Sequence, residues 1–247
     1  MSLRTLTLLL WASTTAFSQY GVSDPKTACA SIAQSFQSTQ DVTVNFARYV
    51  SAGTNLTFEQ DGSLATCDRP SQVVPADLCR IAMLVKTSHI SNITLEAWLP
   101  TNWTGRFLSI GNGGVSGCIQ YEDIAYATSF GFATVGANNG HNGTSGNAFY
   151  ENFQIVADFA YRSVHTGVVV GKEITEAYYN RNYSKSYYLG CSTGGRQGFK
   201  SAQDFPEDFD GIVAGAPALA FNNLSSWSGH FRKSLRRIMC EKCLTVL

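Results

Sequence analysis

Charge is scarce in this 247-residue chain: Asp, Glu, Lys and Arg make up 15% of it, and 18 basic side chains balance 18 acidic ones. That balance offers no basic face to a nucleic acid and no polybasic patch to a membrane surface. Long hydrophobic runs are missing too. The apolar stretch from Leu6 to Ala12 is too short to span a bilayer. Internal repeats and low-complexity linkers are absent, so this length is read as one domain, or one domain with an insertion, around a full core. Histidine is rare, with four in the chain.

What is present begins at the N-terminus. Arg4 gives a positive start, Leu6 to Ala12 an apolar core, and Ala16-Phe17-Ser18 a small-x-small cleavage site. This pattern reads as a secretory signal over residues 1–18, leaving 19–247 as the exported part and no membrane anchor. Six N-x-S/T sequons, at Asn55, Asn92, Asn102, Asn142, Asn182 and Asn223, agree with a secreted glycoprotein. Seven cysteines in a secreted chain imply disulfides. Cys29, Cys67, Cys79 and Cys118 allow three pairings, Cys191 stands apart, and Cys240 and Cys243 form a lone C-x-x-C near the C-terminus. One C-x-x-C is half of a four-ligand zinc site, so no metal is expected. Aromatic residues, at 12%, fit a protein that binds ring-shaped ligands, and equally a large core.

The most informative stretch is Tyr187-Tyr188-Leu189-Gly190-Cys191-Ser192-Thr193-Gly194-Gly195-Arg196-Gln197-Gly198. An apolar run (Ser186 to Leu189) reads as a buried strand, and a helix-compatible segment spans Gly195 to Asp204. Between them, Gly190-Cys191-Ser192-Thr193-Gly194 matches the G-x-S-x-G nucleophile elbow in its required strand-turn-helix context. A serine at the tip of so sharp a turn needs nearly side-chain-free neighbours two positions away on each side. The helix that follows aims its first amides, including that of Thr193, at the oxygen of a tetrahedral intermediate. The bland alternative is a small-residue turn that holds a phosphate. Upstream, the strand Arg106 to Ile110 runs into Gly111-Asn112-Gly113-Gly114. It departs from a dinucleotide fingerprint, since Ser116 stands where the last glycine should and no clear helix opens there. A glycine loop in this place suits the second oxyanion amide, from Gly113 or Gly114.

The remaining pattern alternates strands with helices. Lys26 to Phe36 reads as a helix and Val42 to Val50 as a strand with Val42, Val44 and Phe46 on one face. A turn-rich stretch holds Asp61-Gly62 and Arg69-Pro70; Ile81 to Thr87 and Ile93 to Leu99 then read as an antiparallel hairpin. Phe132 to Ala137 is a further strand, Val156 to Tyr179 is helical with a break near His165 to Gly167, and Phe209 to Pro217 holds a last short strand. The sum is an α/β protein, a mostly parallel sheet wound by helices on both sides.

A serine hydrolase also needs a base and an acid. After Ser192 the one histidine is His230, and Asp204, Glu207, Asp208 and Asp210 all fall in the connection behind the elbow. That is a poor place from which to support a base on the other side. His89, His141 and His165 read as surface or structural histidines. The chain is therefore expected to stop before its acid and base.

The elbow, the segment Phe205 to Ala218 and the Gly111 to Gly114 loop together resemble the fungal tannase and feruloyl esterase family. The resemblance implies an α/β-hydrolase that cleaves esters of aromatic acids, such as plant cell-wall or polyphenol esters of feruloyl or galloyl type. It implies Ser192 as nucleophile in a Cys-Ser pair, a distant Asp, and a His-Cys pair whose cysteine bridges to Cys191. No His-Cys dipeptide occurs here, so the partner of Cys191 is missing. The family's lid, with its structural calcium, is likewise not expected in this chain, and no cofactor is. Arg232 to Arg237 looks unlike the family, which marks 232–247 as an aberrant tail and 19–247 as the N-terminal part of a hydrolase domain. The 247 residues alone are then expected to be inactive. Two other readings stay open: a non-catalytic binding protein on a decayed hydrolase scaffold, and a serine peptidase of the same fold. The oligomeric state is not legible. Of the three cysteine pairings, Cys29 with Cys79 and Cys67 with Cys118 is the expected one, tying the N-terminal segment to the sheet.

Overall fold

The computed structural model describes residues 22–58 and 65–230. The leader at 1–18, the Asp61-Gly62 turn and the tail from 232, with Cys240 and Cys243, lie outside these residues.

The chain opens with helix α1 (Pro25–Ser35), started by Asp24, whose carboxylate accepts from the Thr27 N–H at 3.2 Å, and by a proline at the first helical position. Strand β1 (Val42–Val50) leads to a small hairpin of β2 (Asn55–Thr57) and β3 (Ser71–Val73). Then come β4 (Leu78–Lys86), β5 (Asn92–Pro100) and β6 (Arg106–Ile110). From there strands and helices alternate: α2 (Tyr121–Ser129), β7 (Phe132–Ala137), α3 (Phe153–Ala157), α4 (Ser163–Tyr179), β8 (Lys185–Cys191), α5 (Thr193–Asp204) and β9 (Gly211–Gly215). Residues 221–230 are helical.

Seven strands form one sheet in the order β1-β4-β5-β7-β6-β8-β9. The connection 87–91 is too short for a crossover, so β4 and β5 pair antiparallel, as β1 with β4 and β5 with β7 also do. From β6 onward each next strand is reached through a helix, and β7, β6, β8 and β9 run parallel. The order turns back at β6: its successor β7 lies on one side and β8 on the other. The carboxyl ends of β6 and β8 thereby open a crevice, the place where ligands bind in open α/β sheets.

Helices cover both faces. On one, Cys29 and Ile32 of α1 and Val164, Val168 and Ile174 of α4 pack on Ile81, Leu95, Phe107 and Val135. On the other, Ile124 and Ala125 of α2 pack on Trp98, Leu108 and Ile110. Each fully buried side chain of this size contributes about 1.5–3 kcal/mol, which makes these two layers the main stabilising term. The disulfides join Cys29 to Cys79 and Cys67 to Cys118. The first fixes α1 to β4, and the second fixes the short turn Ala65–Cys67 to the segment behind the glycine loop. Each contributes about 2–4 kcal/mol in the chain-entropy account.

Two expectations need correction. The break in the long helix is not at His165 to Gly167. A wide π-helical turn over Asp158–Arg162 absorbs it, and the chain stays helical through Tyr179. The Asp158 side chain is buried there, accepting from Thr87, Ser91 and Arg162, while the Phe159 and Ala160 carbonyls accept from Arg196. Phe46 does not share a face with Val42 and Val44. A register shift between Val44 and Phe46 turns it toward the Arg80 guanidinium, 5.1 Å from its ring, and brings Ala47 and Tyr49 to the α1 side. As expected, no helix opens at the glycine loop: the next one, α2, begins only at Tyr121, because the loop continues through Cys118 and its disulfide.

Candidate active site

Ser192 sits where β8 ends and α5 begins, with φ 60° and ψ −115°. A non-glycine residue in this region is strained, and the surroundings must hold it there. Its N–H donates to the Gly215 carbonyl at 3.0 Å, and its carbonyl accepts from the Arg196 and Ala218 N–H groups at 3.1 and 3.0 Å. The turn closes because Gly190 is bare: a Cβ there would come within 2.7 Å of the Gly194 carbonyl group and the Tyr188 hydroxyl. Tyr188 is buried, which pushes its phenol well above the ordinary range, so it stays a neutral donor to the Gly194 carbonyl at 2.7 Å.

The glycine loop lies against this turn. A Cβ on Gly111 would overlap the Tyr188 hydroxyl and lie 2.7 Å from Gly194 Cα. Thr193 Oγ1 donates to the Gly114 carbonyl at 2.7 Å, bridging 79 positions of sequence. The structure thus brings together Ser192, Thr193, Gly113 and Gly114. The Gly111 N–H is spent on the Leu189 carbonyl and the Asn112 N–H on Gln197 Oε1. The N–H groups of Gly113, Gly114 and Thr193 donate to no described residue. This arrangement can present main-chain donors to an oxyanion beside a serine hydroxyl.

Gly111→Ala tests that closeness. The added methyl has nowhere to go, so the loop must retreat from the elbow, and loss of one oxyanion donor lowers kcat by about 10²–10³-fold. Gly113→Ala, whose Cβ meets nothing within 4 Å, is expected to cost less. Equal rates for Gly111→Ala and the parent protein in an ester-hydrolysis assay would separate the loop from the site.

The other singled-out groups fall elsewhere. Cys191 is exposed and unbridged among the described residues. His141 is buried with its ring nitrogens facing the Val115 and Asn139 carbonyls. His165 pairs with Asp208 at 2.8 Å and stacks on Phe205, while His230 stacks on Trp227. His89 is exposed in the β4–β5 connection. Asp204 pairs with Lys200, and Asp210 with Lys185, whose hydrogen bond holds that carboxyl below its ordinary range. The Ser192 hydroxyl makes no side-chain hydrogen bond among the described residues. All six sequon asparagines are exposed. Among the described residues no group of three or more His, Cys, Asp or Glu could hold a metal ion.

Sequence reasoning missed Gln197, Asn112, Asn139 and Arg196. Their types carried no signal: amides and an arginine among glycines match no catalytic pattern. Yet Gln197, Asn112 and Asn139 are buried.

Residues 79–237 match the profile of the family described as tannase and feruloyl esterase. The chain belongs to that family. The match runs through 237 and so includes Arg232 to Arg237, the stretch set apart above as unlike it. A probable feruloyl esterase B-2 of Aspergillus terreus is 66% identical over 191 residues, 77% of this chain and 36% of that protein. The crystal structure of an esterase from Aspergillus oryzae is 59% identical with a TM-score of 0.81, covering 84% of this chain and 41% of its own. Feruloyl esterase B from Aspergillus oryzae is 52% identical with a TM-score of 0.80 over the same shares. The chain therefore spans well under half the length of these family members. Within that span the architecture is the α/β-hydrolase fold.

Proposed function

We propose that this chain carries the nucleophile and oxyanion hole of a secreted serine esterase acting on esters of aromatic acids of the feruloyl type. The observation behind it is the strained Ser192 set among three uncommitted amides. The relatives named feruloyl esterases give the substrate class. In the reaction, Ser192 Oγ bonds to the ester carbonyl carbon and its proton passes to a general base. The carbonyl oxygen takes up the negative charge, met by the Thr193 amide and that of Gly113 or Gly114. Collapse expels the alcohol, which takes the proton, and leaves an acyl-Ser192 for water to cleave. Export is supported by the leader pattern at 1–18, the exposed sequons and the two disulfides. Among the described residues no helix is long and apolar enough to cross a membrane.

A second reading, a non-catalytic protein on the same scaffold, is favoured by one observation: no described histidine is hydrogen-bonded to Ser192. Under it, the 247 residues by themselves hydrolyse no aromatic ester. A fluorophosphonate separates the readings. Time-dependent labelling of the natural gene product at the peptide containing Ser192, blocked by methyl ferulate, is expected for the esterase. Absence of labelling in the folded protein would establish the scaffold reading.

A further inference from the structure

Gln197 lies one helical turn after Thr193 on α5, 1% exposed, and it touches strand β8 and the loops after β6 and β7 at the mouth of the crevice. Its Oε1 accepts from the Asn112 N–H at 3.0 Å and from the Tyr188 hydroxyl at 3.4 Å. Its Nε2 donates to Asn139 Oδ1 at 2.8 Å and to Asn112 Oδ1 at 3.4 Å. Both amide partners are themselves fixed. Asn112 Nδ2 donates to the Cys118 and Ala137 carbonyls at 2.9 and 2.7 Å. Asn139, fully buried with φ 59°, donates to the Ser116 carbonyl at 3.0 Å.

This network decides which loop amides are available. Because Gln197 takes the Asn112 N–H and Leu189 takes that of Gly111, the next two, Gly113 and Gly114, are the ones left to face a reacting ester. The far end of the loop is held by Thr193 Oγ1 on the Gly114 carbonyl. Two side chains one turn apart on α5 thus clamp the loop at both ends. We infer that Gln197 is a positioning residue of the reaction: it sets the direction of the Gly113 and Gly114 amides without touching the substrate. The inference rests on the serine esterase reading above.

The role demands both an acceptor and a donor at one place. Gln197→Leu supplies neither. Gln197→Glu supplies both when protonated, but as a carboxylate it can only accept and faces Asn139 Oδ1. Burial disfavours the charged form and raises the carboxyl pKa, so the competent acid form dominates at low pH and is lost as pH rises through that raised value.

The test uses the natural gene product, with methyl ferulate as substrate. Gln197→Leu is expected to lower kcat by about 10²–10³-fold, with KM within a few-fold of the parent value. For Gln197→Glu, the ratio of its kcat to the parent's at the same pH is expected to climb by at least about tenfold as the acid form returns. A third readout is independent of turnover. Hydrogen exchange in 111–118 should speed up in Gln197→Leu while that of 193–204 stays slow. If Gln197→Leu does not fold, the isosteric Glu variant carries the kinetic and exchange comparison. A kcat within twofold of the parent, a pH-independent Glu ratio, or unchanged exchange in 111–118 overturns the inference. Turnover that survives Ser192→Ala overturns instead the reading beneath it.

Discussion

Ser192→Ala in the natural gene product is expected to lower kcat toward methyl ferulate by about 10⁶-fold, the order seen when a serine nucleophile is removed from an otherwise intact site. The variant is informative because it spares the scaffold. The backbone bonds that hold position 192 at positive φ run through its N–H and carbonyl, to Gly215, Arg196 and Ala218, and alanine keeps both. The side chain itself anchors nothing among the described residues, so the thermal midpoint should stay close to the parent's. Circular dichroism and initial rates, measured on the same preparations, check the two halves of the expectation. Undiminished turnover in a well-folded Ser192→Ala protein would place the chemistry elsewhere.

The largest stability effect is expected from Glu96, at the opposite face of the sheet from α4. Its carboxylate forms a two-pronged pair with Arg80, 2.8 Å to Nε and 2.6 Å to one terminal nitrogen. It also accepts from the Tyr121 hydroxyl at 2.8 Å and from the Trp98 indole at 3.1 Å. Arg80 and Glu96 are each only 2% exposed. Glu96→Ala would remove the two-pronged carboxylate partner of a buried guanidinium and the shared acceptor of two buried donors, at a cost of about 3–5 kcal/mol. Measured against a typical domain stability of about 5–15 kcal/mol, that is enough to threaten folding. The pair's net worth is a different matter, since both ions were taken out of water to form it. The double variant Arg80→Met/Glu96→Leu is accordingly expected to be destabilised by less than Glu96→Ala alone. Urea midpoints decide it: a double variant weaker than the single one would mean that the charges stabilise the sheet outright.

The pair shows where reading the chain stops. Arg80 and Glu96 sit in strands that otherwise read as continuous apolar runs, and nothing in their separation of 16 positions announces a contact. They meet because the β4–β5 register sets Arg80 opposite Trp98 and Ala82 opposite Glu96, and because α2 brings Tyr121 over both. Phe46 gives the same lesson at smaller scale: one register shift moves a side chain to the other face of the sheet, and periodicity cannot see it.

The sequence by itself determined the features whose cause is local. The elbow is legible because a strained serine needs bare neighbours at fixed offsets, and Gly190 and Gly194 stand at those offsets. Strand β1 is legible because side chains alternate along a strand, β6 and β7 because they are short apolar runs, and the β4–β5 hairpin because its connection is short. Only the tertiary structure decided what fills the crevice. The face that α5 turns to the sheet is made of Thr193, Gly194, Gly195, Gln197, Gly198 and Ser201, while Phe199 is half exposed. A hydrophobic pattern therefore points to the wrong face of that helix, and Gln197 reads as a surface residue. Its partners come from the loops after β6 and β7, 85 and 58 positions away, and they converge because the strand order reverses at β6. Hydrogen bonds over such distances leave no spacing in the chain; they exist only once the parallel strands have set the three loop ends side by side.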